Sequence, residues 1–194
     1  MRRIIVQEFV SIDGVMQAPG DPGEYSRGGW QRQFVCPEQL DRVTQVMLHA
    51  DALLLGRKTY EGFAAAWPAM KGLRGMADRI NAMPKLVAST TLTDPQWNAT
   101  VIQGELATAI HELKQHEGDS LLVLGSGSLV RFLARHDLVD EYELWIHPVI
   151  VGEGERLFPS GLDTSTWTLA GTQVTPTGQA VNTYRRRAHQ PAVA

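Results

Sequence analysis

Residues 52–55 (Ala-Leu-Leu-Leu), 86–88 (Leu-Val-Ala) and 121–124 (Leu-Leu-Val-Leu) are brief runs with an apolar side chain at every position. Successive side chains of a strand point to opposite faces, so a strand with one wet face alternates polar and apolar residues. A run with no polar member is a strand covered on both sides. Such strands belong in the middle of a sheet, and the rest of the chain holds segments able to cover them. Leu40, Val43, Met47 and Ala50 recur at helical spacing after Pro37, a residue suited to a first turn, and Leu73, Met76, Ala77, Ile80 and Met83 form a second stripe. Leu106, Ile110 and Leu113, ending near Gly118, form a third stripe, and Leu129, Val130 and Leu133 a fourth. Strands and helices alternate, the pattern of an α/β domain. Residues 4–10 supply an opening strand, 142–151 and 167–174 are longer runs, and 181–185 follows the turn signal Pro176-Thr177-Gly178. The last two predict an antiparallel C-terminal hairpin, which makes the sheet mixed.

A chain of 194 residues fits one domain, which at this size buries ~70% of its unfolded surface and needs no staple. We expect that domain over residues 1–188 and a flexible tail over 189–194. Cys36 is the only cysteine, which excludes an internal disulfide and a Cys-rich zinc site and suits a reducing, cytoplasmic compartment. Gln7 and Glu8 interrupt the opening apolar run before a signal-peptide core forms, and no later run reaches the length of a membrane span. His49, His111, His116, His136, His147 and His189 lack the spacing and companions of a metal site, so no metal is expected. The net charge of −3 gives no general attraction for nucleic acid, and we read Arg185, Arg186 and Arg187 as keeping an edge strand soluble.

Four short motifs carry the chemistry. At Gly56-Arg57-Lys58-Thr59 a buried strand stops at a glycine and enters a helix, whose N-terminal amides suit a phosphate. Arg57 adds a forked donor there and Thr59 a hydroxyl, and the competing reading is a solvated helix start. Gly125-Ser126-Gly127-Ser128 repeats the architecture after residues 121–124, as an anion nest or as a plain capped turn. Ser11-Ile12-Asp13-Gly14 sets a carboxylate at a strand end, either for proton transfer or as an ordinary turn. His147-Pro148-Val149-Ile150-Val151-Gly152-Glu153-Gly154 leads a strand into a glycine-paced turn whose chemistry composition does not reveal. The long irregular stretch 17–36, rich in Gly and Pro, reads as a lid with Trp30 as its large anchor.

In this order, with Asp140-Glu141-Tyr142 between the last two glycine motifs, the chain resembles the reductases of the dihydrofolate-reductase superfamily. It is most similar to the C-terminal reductase domain of the bacterial bifunctional riboflavin-biosynthesis deaminase-reductase and its stand-alone relatives. The resemblance implies a three-layer α/β fold: about eight strands, mostly parallel, with an antiparallel C-terminal hairpin and helices on both faces. It also implies NADPH across the strand ends. By that match Gly56, Arg57, Lys58 and Thr59 hold cofactor phosphates, with Arg57 at the 2′-phosphate. Ser89 and Thr90 sit near the adenosine end, and Gly125, Ser126, Gly127 and Ser128 receive the pyrophosphate. Asp13 and Trp30 line the nicotinamide and substrate side, where hydride passes to a small polar heterocycle or ribose-derived substrate and Asp13, or water it positions, supplies the proton. The implied assembly is a homodimer through the C-terminal strands, with Trp145 or Trp167 as an aromatic anchor.

The departures bear on the substrate. Riboflavin reductases carry a substrate-binding glutamate before the second glycine turn, and this chain has Leu124 there. The zinc deaminase motif is absent, and neither Glu38 nor Asp41 aligns with the pteridine-gripping acid of dihydrofolate reductases. Other readings are a non-catalytic NADP-binding or ligand-sensing module of the same fold, dihydrofolate reductase proper, and a nucleic-acid binder using residues 185–187.

Overall fold

In the computed structural model, which describes residues 1–187, the apolar runs form β1 (Arg3–Ser11), β2 (Ala52–Gly56), β3 (Lys85–Ala88), β5 (Ser120–Leu124), β6 (Glu141–His147), β7 (Trp167–Val174) and β8 (Ala180–Arg186). A short strand β4 (Ala99–Val101) completes one sheet in the order β4-β3-β2-β5-β1-β6-β8-β7. Neighbours from β4 to β6 run parallel, while β8 is antiparallel to β6 and β7 to β8. The expected tail at 189–194 lies outside the described residues.

Among the described residues five α-helices cover the sheet: α1 (Pro37–Leu48), α2 (Arg57–Ala66), α3 (Met76–Ala82), α4 (Leu106–Gln115) and α5 (Gly127–Arg135). The apolar strands divide their side chains between the two layers, as their composition requires. Leu53, Leu55 and Leu122 pack with Val43 and Met47 of α1, Tyr60 of α2 and Ile80 of α3. Leu54, Leu121 and Val123 pack with Ile110 of α4 and Leu129, Val130 and Leu133 of α5. Each fully buried leucine contributes about 1.5–3 kcal/mol to the layered core.

This layering positions the site. α5, which follows β5, lies on one face, whereas α1 and α2, which come after the neighbouring strands β1 and β2, lie on the other. Where successive connections leave a sheet on opposite faces, a crevice opens at the carboxyl ends of the strands. Here β2 and β5 also splay, meeting only at Ala52↔Leu121 and Leu53↔Leu122, while β1 runs on past the end of β5 at Gln7↔Leu124.

Several expectations are corrected. β6 stops at His147 instead of 151, because Pro148 has no N–H for a ladder and the Val149 amide turns back to the His147 carbonyl at 2.7 Å. α3 begins only at Met76, later than the stripe from Leu73 implies, because Leu73 and Arg74 take left-handed backbone angles. The arginine run does not guard an edge: β8 is interior and β7 is the edge. Arg185 bonds Glu141 at 2.8 Å, and Arg186 bonds the Val139 carbonyl and lies over the Trp167 ring. Trp145 is fully buried inside the protomer, so it cannot anchor a dimer. Among the described residues, no helix is long and apolar enough to cross a membrane.

Candidate active site

The two glycine turns meet. Gly56 stands at the end of β2 as the N-cap of α2, and Ser126 stands at the end of β5 as the N-cap of α5. The Gly56 amide donates to Ser126 Oγ at 2.9 Å, and the Ser126 amide donates to Thr59 Oγ1 at 2.9 Å. Gly125 and Ser126 both adopt left-handed angles, φ 59° and 63°. For serine that conformation costs about 1–2 kcal/mol and persists because both hydrogen bonds hold it.

No side chain caps α2 or α5, and neither has an acidic residue in its first turn. α4 shows the alternative. There Glu105 accepts from the Ala107 and Thr108 amides at 3.0 and 2.8 Å, bonds that pull its carboxyl down to about 2. At α2 and α5 the N-terminal amides and the positive dipole ends are left to whatever occupies the crevice edge. The turn between them is bare: a Cβ on Gly125 would come within 3.2 Å of Thr59 Cγ2, and one on Gly127 within 2.9 Å of Met16 Sδ. An incoming group therefore meets backbone. Thr59 accepts from the Ser126 amide through its oxygen, which leaves its hydroxyl as a donor for another group. Arg57 and Lys58 are exposed beside it, Arg57 paired with Glu61 at 2.9 Å. On β3, Ala88 is in register with Gly56, which brings Ser89 and Thr90 to the same edge. Ser89 Oγ accepts from the Thr91 and Leu92 amides and so shapes that turn. This donor set, two open helix ends with a hydroxyl and two cations, fits the phosphates of a dinucleotide.

Asp13 and Trp30 lie on the other side, beyond the end of β1. Asp13 accepts from Ser11 Oγ at 2.7 Å and from the Val151 and Gly152 amides at 3.0 and 2.9 Å. The serine bond foremost, helped by the two amides against partial burial, holds the carboxyl at about 2. It is an anion near neutrality with its acceptor sites engaged, suited to fastening the turn at 151–152 and a poor source of protons. Trp30 is buried with Val15 and Val151, and its Nε1 donates to the Gln17 carbonyl at 2.9 Å. Segment 17–36 is thereby docked, with Tyr25 and Arg27 reaching the Glu153 and Val151 carbonyls. The glycine-paced turn after β6 thus acquires a role: it is the seat of this segment.

Sequence reasoning missed the wall beneath. His147 is fully buried, edge-on to Phe9, Trp30 and Phe34 at 5.3, 5.3 and 5.7 Å. Burial lowers its pKa, so it is neutral, with Nδ1 donating to the Trp145 carbonyl and Nε2 facing the Gln179 amide. Glu143, also buried, accepts from Arg42 at 2.6 Å, from Gln7 at 2.8 Å and from Trp145 Nε1 at 3.0 Å. The period of two along β6 sets Glu143, Trp145 and His147 on one face, a signal present in the sequence and left unread. Asp41 of α1 instead faces Arg74 at the surface, so α1 turns no acid toward this wall from that position.

Three comparisons bear on this geometry. Residues 2–181 match the family model of the RibD C-terminal domain. Two Bacillus subtilis (strain 168) proteins, both uncharacterized, are similar in sequence: YyaP, 29% identical over 81% of this chain and 80% of its own, and YwjB, 26% identical over 71% and 74%. Among solved structures, a protein of Shewanella sp. PV-4 assigned to riboflavin biosynthesis superposes with a TM-score of 0.76 at 21% identity, covering 96% of this chain and 99% of its own. A pyrimidine reductase-like protein of Corynebacterium diphtheriae gives 0.64 at 15% identity, covering 97% and 93%. Dihydrofolate reductase of Enterococcus faecalis, complexed with NADP(H) and RAB-propyl, gives 0.64 at 17%, covering 96% and 97%. The structures share the fold, and the family model spans nearly the whole sheet together with both glycine turns: the chain belongs to the RibD C-terminal domain family, a family of reductases.

Proposed function

We propose that this protein is an NADPH-dependent reductase that passes hydride to a small polar heterocycle or ribose-derived substrate. The observation that carries the reading is the pair of helix N-termini, α2 and α5, left without side-chain caps and stitched together through Gly56, Thr59 and Ser126. Bound NADPH would supply the hydride. The chain's own part is to hold and orient: Gly56, Lys58, Thr59 and residues 125–128 take the phosphates, Ser89 and Thr90 flank the adenosine end, and Arg57 takes the 2′-phosphate. Arg57 is free to do so because its present pair with Glu61 is a surface pair, worth about 0–1 kcal/mol. Asp13 fastens the turn on which segment 17–36 sits, and Trp30 closes that side against water. The proton that accompanies hydride comes from solvent rather than from Asp13, whose carboxyl is held ionised.

Leu124 and the Arg42–Glu143 pair shape the substrate side. An acid already neutralised by an arginine, with Asp41 of α1 turned to Arg74 and Glu38 exposed in the first turn of α1, does not favour a basic pteridine. We further propose a cytoplasmic homodimer formed through the C-terminal strands.

Calorimetric titration with NADPH and NADH tests the reading, and no binding of either would refute it. Arg57→Ala should weaken NADPH about ten-fold while changing NADH little, the loss expected for a charge-assisted hydrogen bond. Equal losses would remove the 2′-phosphate assignment.

A further inference from the structure

Glu8 takes no part in the two glycine turns, the docked segment 17–36 or the His147 wall. It lies in β1, one position past Gln7↔Leu124, the last pair that joins β1 to β5. Strand alternation sets it on the face of Ile4, Val6 and Val10, the face that α5 covers. It is only 4% exposed, and its Oε1 is buried with no hydrogen-bond partner. Gln7, on the opposite face, likewise leaves its Oε1 buried and unpartnered. The strand thus presents an unsatisfied oxygen to each layer at the level where β5 ends beside it. A buried polar group without a partner costs about 1–3 kcal/mol, a penalty that folding alone would remove by placing leucine there. Such groups make sense when the partner arrives with a ligand.

We propose that Glu8, as a neutral carboxylic acid, binds the carboxamide of the nicotinamide ring. The inference rests on the reading of the site as a dinucleotide crevice, with phosphates at α2 and α5 and the nicotinamide end reaching past the end of β5 alongside β1. A protonated carboxyl offers one donor and one acceptor side by side, and a carboxamide offers the complement, so the two form a planar pair of hydrogen bonds. Burial supports the protonation state, raising the Glu8 pKa well above the ordinary carboxylate value. Glutamine carries the same donor and acceptor in the same shape, whereas leucine carries neither.

The test is calorimetric binding of two ligands, NADPH and 2′-phosphoadenosine 5′-diphosphate, to the wild type, Glu8→Gln and Glu8→Leu. The second ligand keeps the phosphates and lacks the nicotinamide. Glu8→Leu should weaken NADPH about ten-fold, the value of two ordinary hydrogen bonds, and leave the fragment unchanged; Glu8→Gln should bind both as the wild type does. Thermal melting checks the fold, and Glu8→Leu should melt no lower than the wild type because it removes an unpartnered buried carboxyl. Unchanged NADPH binding by Glu8→Leu, equal losses for both ligands, or a loss in Glu8→Gln as large as in Glu8→Leu each overturns the proposal while leaving the cofactor assignment standing. Failure of the wild type to bind either ligand overturns both.

Discussion

The carboxyls of Glu8 and Asp13 respond to acid in opposite directions because one lacks donors and the other is surrounded by them. Asp13 is held at about 2 against its ordinary 3.8, so its ionised form supports the fold above pH ~4, and that support disappears as the pH falls toward 2. Glu8 is raised above its ordinary 4.5. The folded state keeps a proton that the unfolded chain has released, so stability is greatest below about 4.5 and declines as the pH rises toward the folded value. Urea midpoints measured from pH 2 to 8 should therefore show a smaller acid limb in Asp13→Asn, where Glu105 still contributes, and no decline above pH ~4.5 in Glu8→Gln. A decline of wild-type size in Glu8→Gln would place its source elsewhere. Ser126 offers a second check at this scale. Its hydroxyl is the acceptor for the Gly56 amide, and removing it leaves that amide unpaired between two turns. Ser126→Ala should lower stability by about 1–2 kcal/mol. It should also weaken NADPH in titration by roughly ten-fold, since the turns no longer hold one spacing; wild-type affinity would show that the stitch does not set the phosphate site.

Segment 17–36, irregular apart from one 3-10 turn at Arg32–Phe34, shows how such an element is held. Its fastenings are few and specific: the Trp30 indole on the Gln17 carbonyl, Arg27 and Tyr25 on the turn at 151–153, and the Thr177 and Gln179 side chains on the Phe34 carbonyl. Trp30→Phe keeps an aromatic ring against His147 and deletes the indole bond. Limited proteolysis should then cut within 17–36 several-fold faster while the sheet stays resistant, and an unchanged rate would mean the other fastenings suffice. The sequence revealed that this stretch is irregular and that Trp30 anchors it, because proline and glycine density and a lone large apolar residue are local signals. It did not reveal the seat, because the partners lie more than a hundred positions away. The same divide runs through the rest of the molecule. Runs such as 121–124 and stripes such as Leu129, Val130 and Leu133 declare their layers by composition and period. β4 has three residues, too few for either, and Trp145, expected at a surface, proves to be core because β8 and α1 close over it. Glu8 was legible as an interruption of an apolar run, yet its meaning needed the neighbouring strand to end beside it.

The sheet is not covered evenly. α4 and α5 shield β1, β2 and β5 on one face, and beyond them the same face of β6, β8 and β7 carries Leu144, Ile146, Ala180, Asn182 and Tyr184, none fully buried. The register aligns Leu169 with Tyr184 and Val174 with Ala180, and these two β7 residues are 53% and 70% exposed. At its inner border Ile12 and Phe158 line an open hollow of about 470 Å³ with Leu144 and Ile146, and both are largely exposed. Exposed apolar side chains on either side of the Thr172–Asn182 pair, on a sheet with a free edge, invite unintended pairing unless a partner covers them. A second copy turned by a two-fold axis would place the same residues against one another and close the edge, whereas a head-to-tail arrangement would leave it open. The anchor would then be Leu169 and Val174 beside half-buried Trp167, in place of Trp145. Sedimentation equilibrium should give twice the chain mass for the wild type, and Leu169→Lys with Val174→Lys should give the single chain with its thermal transition retained, since neither side chain contributes to the protomer core. A wild type that sediments as a single chain would refute the dimer, and a lysine variant that stays paired would move the interface to another face.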